Sequence, residues 1–321
     1  MRCFCRPRGD QSTDCPCRRF LFWLHASRYE FFTGVIGPAL VGGAAAWSGA
    51  HVFHLGLWLV TVVGLMLAHA SANLANDYFD HLSGNDALNT EFITPFTGGS
   101  RVIQQGLATP REVLVAALVS LALAGACGLL LAWLCGWPIL ILAGIGGLTG
   151  FFYTAPPVKL GYRGWGELFI ALDFGVLPVL GTYFVQTRSF SLPALWASLP
   201  VALLILAILW INQFPDYHAD RAVGKRHWVV RLGRRRAAGV YAGMVALAYL
   251  LVIAGAALEI LPPLTLLVVL TLPLAARALN VALREYDHPP ALAPANAATV
   301  GVHLLFSLLL AVGLVVDAAL R

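Results

Sequence analysis

Residues 55–80 read LGLWLVTVVGLMLAHASANLANDYFD: a long apolar run that passes directly into Asn73, Asn76, Asp77 and Asp80. About 20 apolar residues make a helix long enough to cross the hydrocarbon core of a bilayer. At helical periodicity the four polar residues fall at i, i+3, i+4 and i+7, so all project from one face. A second stretch, INQFPDYHAD at 211–220, closes another apolar run and sets Asn212, Asp216 and Asp220 at i, i+4 and i+8. Carboxylates beside a membrane are costly and mark a task or a partner. Two such faces, with neighbouring Asn side chains and no Cys or His at ligand spacing, predict a hard-cation site, with magnesium holding phosphate as its natural occupant.

The rest of the chain carries the same membrane signature. It is 59% hydrophobic and 12% charged, with a mean hydropathy of +0.77, against roughly 25% charged residues in a soluble domain. Apolar runs near 30–49, 55–75, 113–134, 137–153, 166–186, 194–213, 238–257, 261–283 and 296–318 predict an all-α, polytopic bundle of nine transmembrane helices. The fourth run is the weakest, opened by Trp137-Pro138 and diluted by Gly144, Gly146, Gly147 and Gly150. With nine spans, all but Arg188 and Arg321 of the 21 Lys and Arg residues fall on one side. Positive charge marks the cytoplasmic side, so both acidic stretches and the N-terminus are expected inside and the C-terminus outside. A bacterial or archaeal inner membrane is the expected location.

The net charge of +5 is confined to membrane-flanking segments, which topology alone requires; nucleic acid is excluded as a partner. Residues 1–25 form a basic tail, expected to be disordered, ahead of a membrane domain over 26–321. Its Cys3-x-Cys5 and Cys15-x-Cys17 pairs lack the spacing of structural zinc. Cys127 and Cys135 read as packing residues. His81, His218 and His227 flank the acidic stretches but are read as solvated or packed rather than as ligands. Asp173, within the fifth run, is expected to face an interior cavity.

Basic residues follow the acids. Lys159 and Arg163 lie between the two stretches, and Lys225 and Arg226 follow the second. Carboxylate-bound magnesium with Lys and Arg on the remaining charge is a recurrent solution for diphosphates. A cation transporter is the alternative from another class, although a conduction path needs polar lining across the whole membrane.

These residues resemble the UbiA superfamily of intramembrane prenyltransferases, whose two aspartate-rich motifs match 76–86 and 216–220. The resemblance runs from about Arg28 through the ninth span. It looks closest to the 1,4-dihydroxy-2-naphthoate polyprenyltransferases, the MenA group of menaquinone synthesis. NLANDYFDHLSGND at 73–86, YTAPPVKLGYRGWGE at 153–167 and GKRHWVVRLG at 224–233 carry that match, with GTYFVQ at 181–186 also similar.

The resemblance implies a bundle around a central cavity with cytoplasmic cap loops. Asp77, Asp80, Asp86, Asp216 and Asp220 would be the magnesium ligands, with Asn73, Asn76 and Asn212 orienting substrate. Lys159, Lys225 and Arg226 would bind a polyprenyl diphosphate, and the acceptor would be an aromatic small molecule. Acceptors such as 4-hydroxybenzoate, homogentisate, haem or a glycerol-phosphate lipid are alternatives. The naphthoate group's second motif opens with two Asn residues and has an Arg before its first Asp; Gln213 and Pro215 stand there in this chain. Arg163 and Arg28 are the candidates to replace that Arg toward an acceptor carboxylate. Pro215 is also expected to break the helix.

Overall fold

The computed structural model describes residues 16–320. Of the tail read as disordered over 1–25, residues 1–15 and both cysteine pairs except Cys17 lie outside the described residues, whereas Pro16–Ala26 forms helix α1. Phe22 and Trp23 of α1 pack onto a cluster containing Leu74, Ala75 and Val113, while Phe20 and Leu21 point outward. That packing is what holds an 11-residue helix in place, since short helices are marginal alone.

Helix α2 (Thr33–Ala50) follows a tight turn at Tyr29–Phe31, and α3 (Leu55–Leu82) is the long helix that ends in the first acidic stretch. It stops before Gly84, and a one-turn helix α4 (Asn85–Leu88) comes next. Thr109 starts α5 (Pro110–Cys135): its hydroxyl accepts the Glu112 N–H while the Glu112 carboxylate accepts the Thr109 N–H, satisfying two donors that every helix start leaves free. Then come α6 (Pro138–Phe151), the short α7 (Leu160–Arg163), and α8 (Gly166–Ala171) joined to α9 (Leu177–Thr187) through one wide turn at Leu172–Val176. Pro178 has no N–H to give the Phe174 carbonyl, which accounts for the widening there.

Helix α10 (Leu192–Ala222) carries the second acidic stretch, and its start is capped by Ser191 Oγ on the Ala194 N–H. The expected break at Pro215 does not occur; the helix runs through both Pro200 and Pro215. A proline removes one hydrogen bond, and a helix packed on several sides in a membrane bundle absorbs that loss. The short α11 (Trp228–Leu232), α12 (Arg234–Ala257), a tighter helix at Pro263–Thr271 leading into α13 (Leu272–Glu285), and α14 (Ala293–Leu320) complete the chain.

Among the described residues, eight helices are long and apolar enough to cross a membrane, and Pro138–Phe151 is a shorter apolar ninth. That ninth is the run whose glycines and proline made it weakest in the sequence. The all-α bundle of about nine spans is therefore observed. Helix α2 lies against α14, α3 against α5, and α10 against α12 and α14. The main core gathers Leu204, Ile211, Phe214, Tyr241 and Phe306 from α10, α12 and α14.

Candidate active site

The acidic ends of α3 and α10 meet at one end of the bundle, joined through α4. Asn85 Nδ2 donates to Asp220 Oδ1 at 2.9 Å, and Asn89 Nδ2 donates to Asp216 Oδ1 at 2.6 Å. These two Asn residues, four apart, form a clasp between the motifs that the spacing of the acids alone does not reveal; their i, i+4 spacing just after Gly84 is the mark it leaves in the sequence.

After α10 the chain must reverse within a few residues. Gly224 does so with φ +80, a left-handed conformation that a side chain would disfavour. The Lys225 N–H then donates to the Asp220 carbonyl and the Arg226 N–H to the Tyr162 carbonyl. The turn aims the Lys225 ammonium between the motifs, 2.7 Å from Asp80 Oδ2 and 3.4 Å from Asp220 Oδ1. Burial alone would lower the Lys225 pKa, but Asp220 and Asp80 outweigh it and hold it well above the ordinary lysine value. His227 is buried, not solvated. Its Nδ1 accepts the Val230 N–H, which leaves Nε2 to donate to Asp220 Oδ2 at 2.9 Å.

A cavity lies between these groups. Asn73, Asn76, Asp80, Asp86, Asn212, Asp216, Asp220 and Lys225 line it. Asn73 also donates to the Ser27 carbonyl, Asn76 to Asp80 Oδ2, and Asn212 Oδ1 accepts from Asn296. Asp77 sits differently from its expected place: its carboxylate is turned away from the lining and accepts both the N–H and the hydroxyl of Ser100. Gly99 allows that approach, because a Cβ there would come within 2.6 Å of Asp77 Oδ1. Asp77 therefore anchors the 98–100 segment onto α3.

The predicted basic set also divides. Lys225 is in the cavity. Lys159 is half-buried outside the lining, its ammonium 4.9 Å from the Tyr162 ring. Arg163 is exposed and donates to the Pro157 carbonyl. Arg226 is exposed, because the turn that buries Lys225 points the next side chain outward. Arg28 instead supplies the second cation of the lining. It is fixed by donating to the Phe96 carbonyl at 2.7 Å, with its guanidinium 4.7 Å from the Phe31 ring.

Whether this lining suits magnesium is decided by its unpaired atoms. Asp80 Oδ1, Asn85 Oδ1, Asn89 Oδ1 and Gln213 Oε1 are buried oxygens without a hydrogen-bond donor. Unpaired buried acceptors are expensive, and an all-oxygen set is what a hard cation takes. Asp86 adds to this: burial and the like charges of Asp80 and Asp77 push it up to about 8. The residues fit the ion. Among the described residues, no three His, Cys, Asp or Glu side chains converge tightly enough to hold an ion unaided.

A second cavity adjoins the first, and His69 and Phe174 line both. Its wall is mostly apolar, with the small residues Ala68, Ala72, Gly146 and Gly150 in it, and Leu131, Ile139 and Val185 belong to it near the far ends of their helices. Asp173 faces it, as the sequence suggests, and accepts the Thr149 hydroxyl at 2.6 Å. A polar, cation-ready chamber opening into an apolar tunnel suits a substrate with an anionic head and a long hydrocarbon tail.

A model of the UbiA prenyltransferase family matches residues 35–309. The chain belongs to that family. It is an integral membrane prenyltransferase, a transferase of non-methyl alkyl groups. The prenyltransferase is 34% identical over 234 residues to the 1,4-dihydroxy-2-naphthoate octaprenyltransferase of Mycobacterium tuberculosis, covering 71% of this chain and 76% of that one. It is 29% identical to the 2-carboxy-1,4-naphthoquinone phytyltransferase of Synechocystis sp., over 91% of this chain and 92% of that one. Its fold is similar to that of a UbiA homolog from Archaeoglobus fulgidus bound to DMAPP and Mg2+, with TM-score 0.59 and 15% identity over 93% of this chain and 99% of that one. A UbiA homolog from Aeropyrum pernix K1 is also similar, with TM-score 0.63 and 18% identity over 90% of this chain and 98% of that one.

Proposed function

We propose that this prenyltransferase moves a polyprenyl group from an allylic diphosphate to 1,4-dihydroxy-2-naphthoate, in menaquinone synthesis, with magnesium as its cofactor. The observation that carries the reading is the junction of two unlike chambers: unpaired oxygens and Lys225 in one, an apolar tunnel in the other. The relatives named as naphthoate and naphthoquinone prenyltransferases support the acceptor class.

Asp80, Asp86, Asp216 and Asp220 would hold the cation on the protein side. When bound, magnesium supplies neutralisation of the negative charge that grows on the diphosphate as the allylic C–O bond breaks. Lys225, fixed between Asp80 and Asp220, adds a charge already in place, so no reorganisation is needed when the leaving group departs. Asn85 and Asn89 hold the two motifs at a fixed separation. His227 orients Asp220.

Arg28 is the residue for the acceptor carboxylate. A guanidinium offers two parallel donors to a carboxylate, and Lys225 is already committed to two aspartates. Of the two arginines that the sequence offered in place of the motif arginine, Arg163 is outside the cavity and Arg28 is in its wall. The tunnel takes the prenyl tail, and its apolar wall keeps water from the reacting carbon. On the basic-residue bias, the chamber faces the cytoplasm.

The test uses membranes containing the protein, radiolabelled polyprenyl diphosphate, magnesium and a panel of aromatic acceptors. A labelled lipid formed from 1,4-dihydroxy-2-naphthoate is expected. Product from 4-hydroxybenzoate alone would reject the acceptor, and no labelled lipid with any acceptor would reject the activity on this substrate class.

A further inference from the structure

His69 has no role in holding cation or diphosphate, yet it occupies the wall shared by the two chambers. It continues the α3 stripe of Asn73, Asn76 and Asp80, at 4, 7 and 11 residues before them, and so shares their face. At the helical rise it lies about 16 Å along the axis from Asp80, deep enough to leave room for a diphosphate and one ring. The imidazole is held edge-on between Phe32 and Phe174, with ring centroids 5.7 and 4.9 Å away. It is 8% exposed, and its Nδ1 is buried without a hydrogen-bond partner. Gly34 lies over its edge, where even a Cβ would stand 3.8 Å from Cε1.

A buried imidazole fixed by two aromatic rings, and without a hydrogen-bond partner among the described residues, is poised for a group that arrives with the substrate. From these observations, and resting on the function proposed above, we infer that His69 receives a ring hydroxyl of the acceptor and takes its proton as the ring attacks. In that step the O–H bond breaks and its electron pair becomes a ring C=O. The ring carbon's π pair forms the new C–C bond to the prenyl carbon, and the prenyl C–O pair leaves on the diphosphate. The proton rests on the imidazole. When the adduct loses carbon dioxide, the pair freed from the ring–carboxylate bond restores the aromatic ring, and the imidazole returns its proton to the oxygen.

The test compares wild type, His69→Phe and His69→Gln with 1,4-dihydroxy-2-naphthoate and with each of its two monomethyl ethers. A positioned base is worth about 10²–10⁴ in rate, so His69→Phe should lower kcat on the diol about 100-fold while the KM for the prenyl diphosphate stays within about twofold. On the ether that blocks the responsible hydroxyl, wild type should fall to the level of His69→Phe, and the variant should lose nothing further. His69→Gln, which accepts a hydrogen bond but not a proton, should fall between them; if the Phe variant fails to accumulate, the same ether comparison with Gln decides. An equal fold loss on the diol and both ethers, or no loss on any, overturns the role of His69 while product from wild type leaves the proposed function standing. A wild-type enzyme that prenylates no hydroxylated ring overturns both.

Discussion

The ammonium of Lys225 lies 2.7 Å from the carboxylate of Asp80, 145 residues away in the chain, and 3.4 Å from that of Asp220. One buried cation thus ties the two acidic helix ends together. Replacing Lys225 by Met leaves two buried carboxylates without their counter-charge, a loss of about 3–5 kcal/mol. Thermal unfolding in detergent without magnesium should show a lower Tm for the variant, partly restored by adding Asp80→Asn. Transfer activity should fall by at least about 100-fold, and the double variant should not recover it. A Lys225→Met protein with wild-type Tm and rate would remove the lysine from the account.

Asp86 predicts a pH dependence with a definite sign. Its folded pKa of about 8 lies above that of an unfolded carboxyl, so between about pH 4 and 8 the native state holds the extra proton and stability falls as pH rises. Asp86→Asn should flatten that decline in metal-free protein and leave it more stable than wild type at pH 8. Unfolding curves at pH 5 and pH 8 check this; equal slopes for the two proteins would contradict it.

Arg28 should separate acceptor from donor. Arg28→Leu removes the fork proposed for the acceptor carboxylate and should raise the acceptor KM by about 10–100-fold, the worth of a charged hydrogen-bonded pair. The donor KM should be unchanged. Arg28→Lys, which keeps charge but not the fork, should recover only part of the loss. Steady-state kinetics with each substrate varied in turn measure both constants.

The tunnel should be sensitive to filling. A Cβ at Gly146 meets nothing closer than Leu177 Cδ1 at 3.9 Å, so Gly146→Leu should fold normally and place its side chain in the tunnel. Transfer from an octaprenyl donor should drop about tenfold or more, while transfer from dimethylallyl diphosphate should stay near wild type. Equal loss with both donors would place the long tail elsewhere.

How far the sequence could be read follows from what each signal measures. Hydropathy reports helix length and burial, so the bundle was legible, and even the short helix at 138–151 was recognisable from Trp137-Pro138 and its glycines. Spacing reports a face only to within about a turn. Asn73, Asn76, Asp77 and Asp80 do share a broad face, but the 98–100 segment, reached through α4 and the loop after it, claims Asp77 and leaves the other three in the cavity. Adjacent residues in a turn point apart, so Lys225 enters and Arg226 leaves. Pro215 reads as a break by propensity, whereas packing keeps α10 continuous. Arg28, Asn85 and His227 gain their places only through tertiary contacts with the 95–96 segment, α10 and Asp220.

The central claim is that cation and diphosphate meet between the two acidic helix ends. Its most direct measurement is the initial rate of labelled prenyl transfer to 1,4-dihydroxy-2-naphthoate as magnesium is titrated, in wild type, Asp80→Ala and Asp216→Ala. The account predicts a magnesium-dependent rate in wild type, none in EDTA, and a loss of at least about 100-fold in both variants at saturating magnesium. A rate that persists in EDTA, or variants that match wild type, would contradict it.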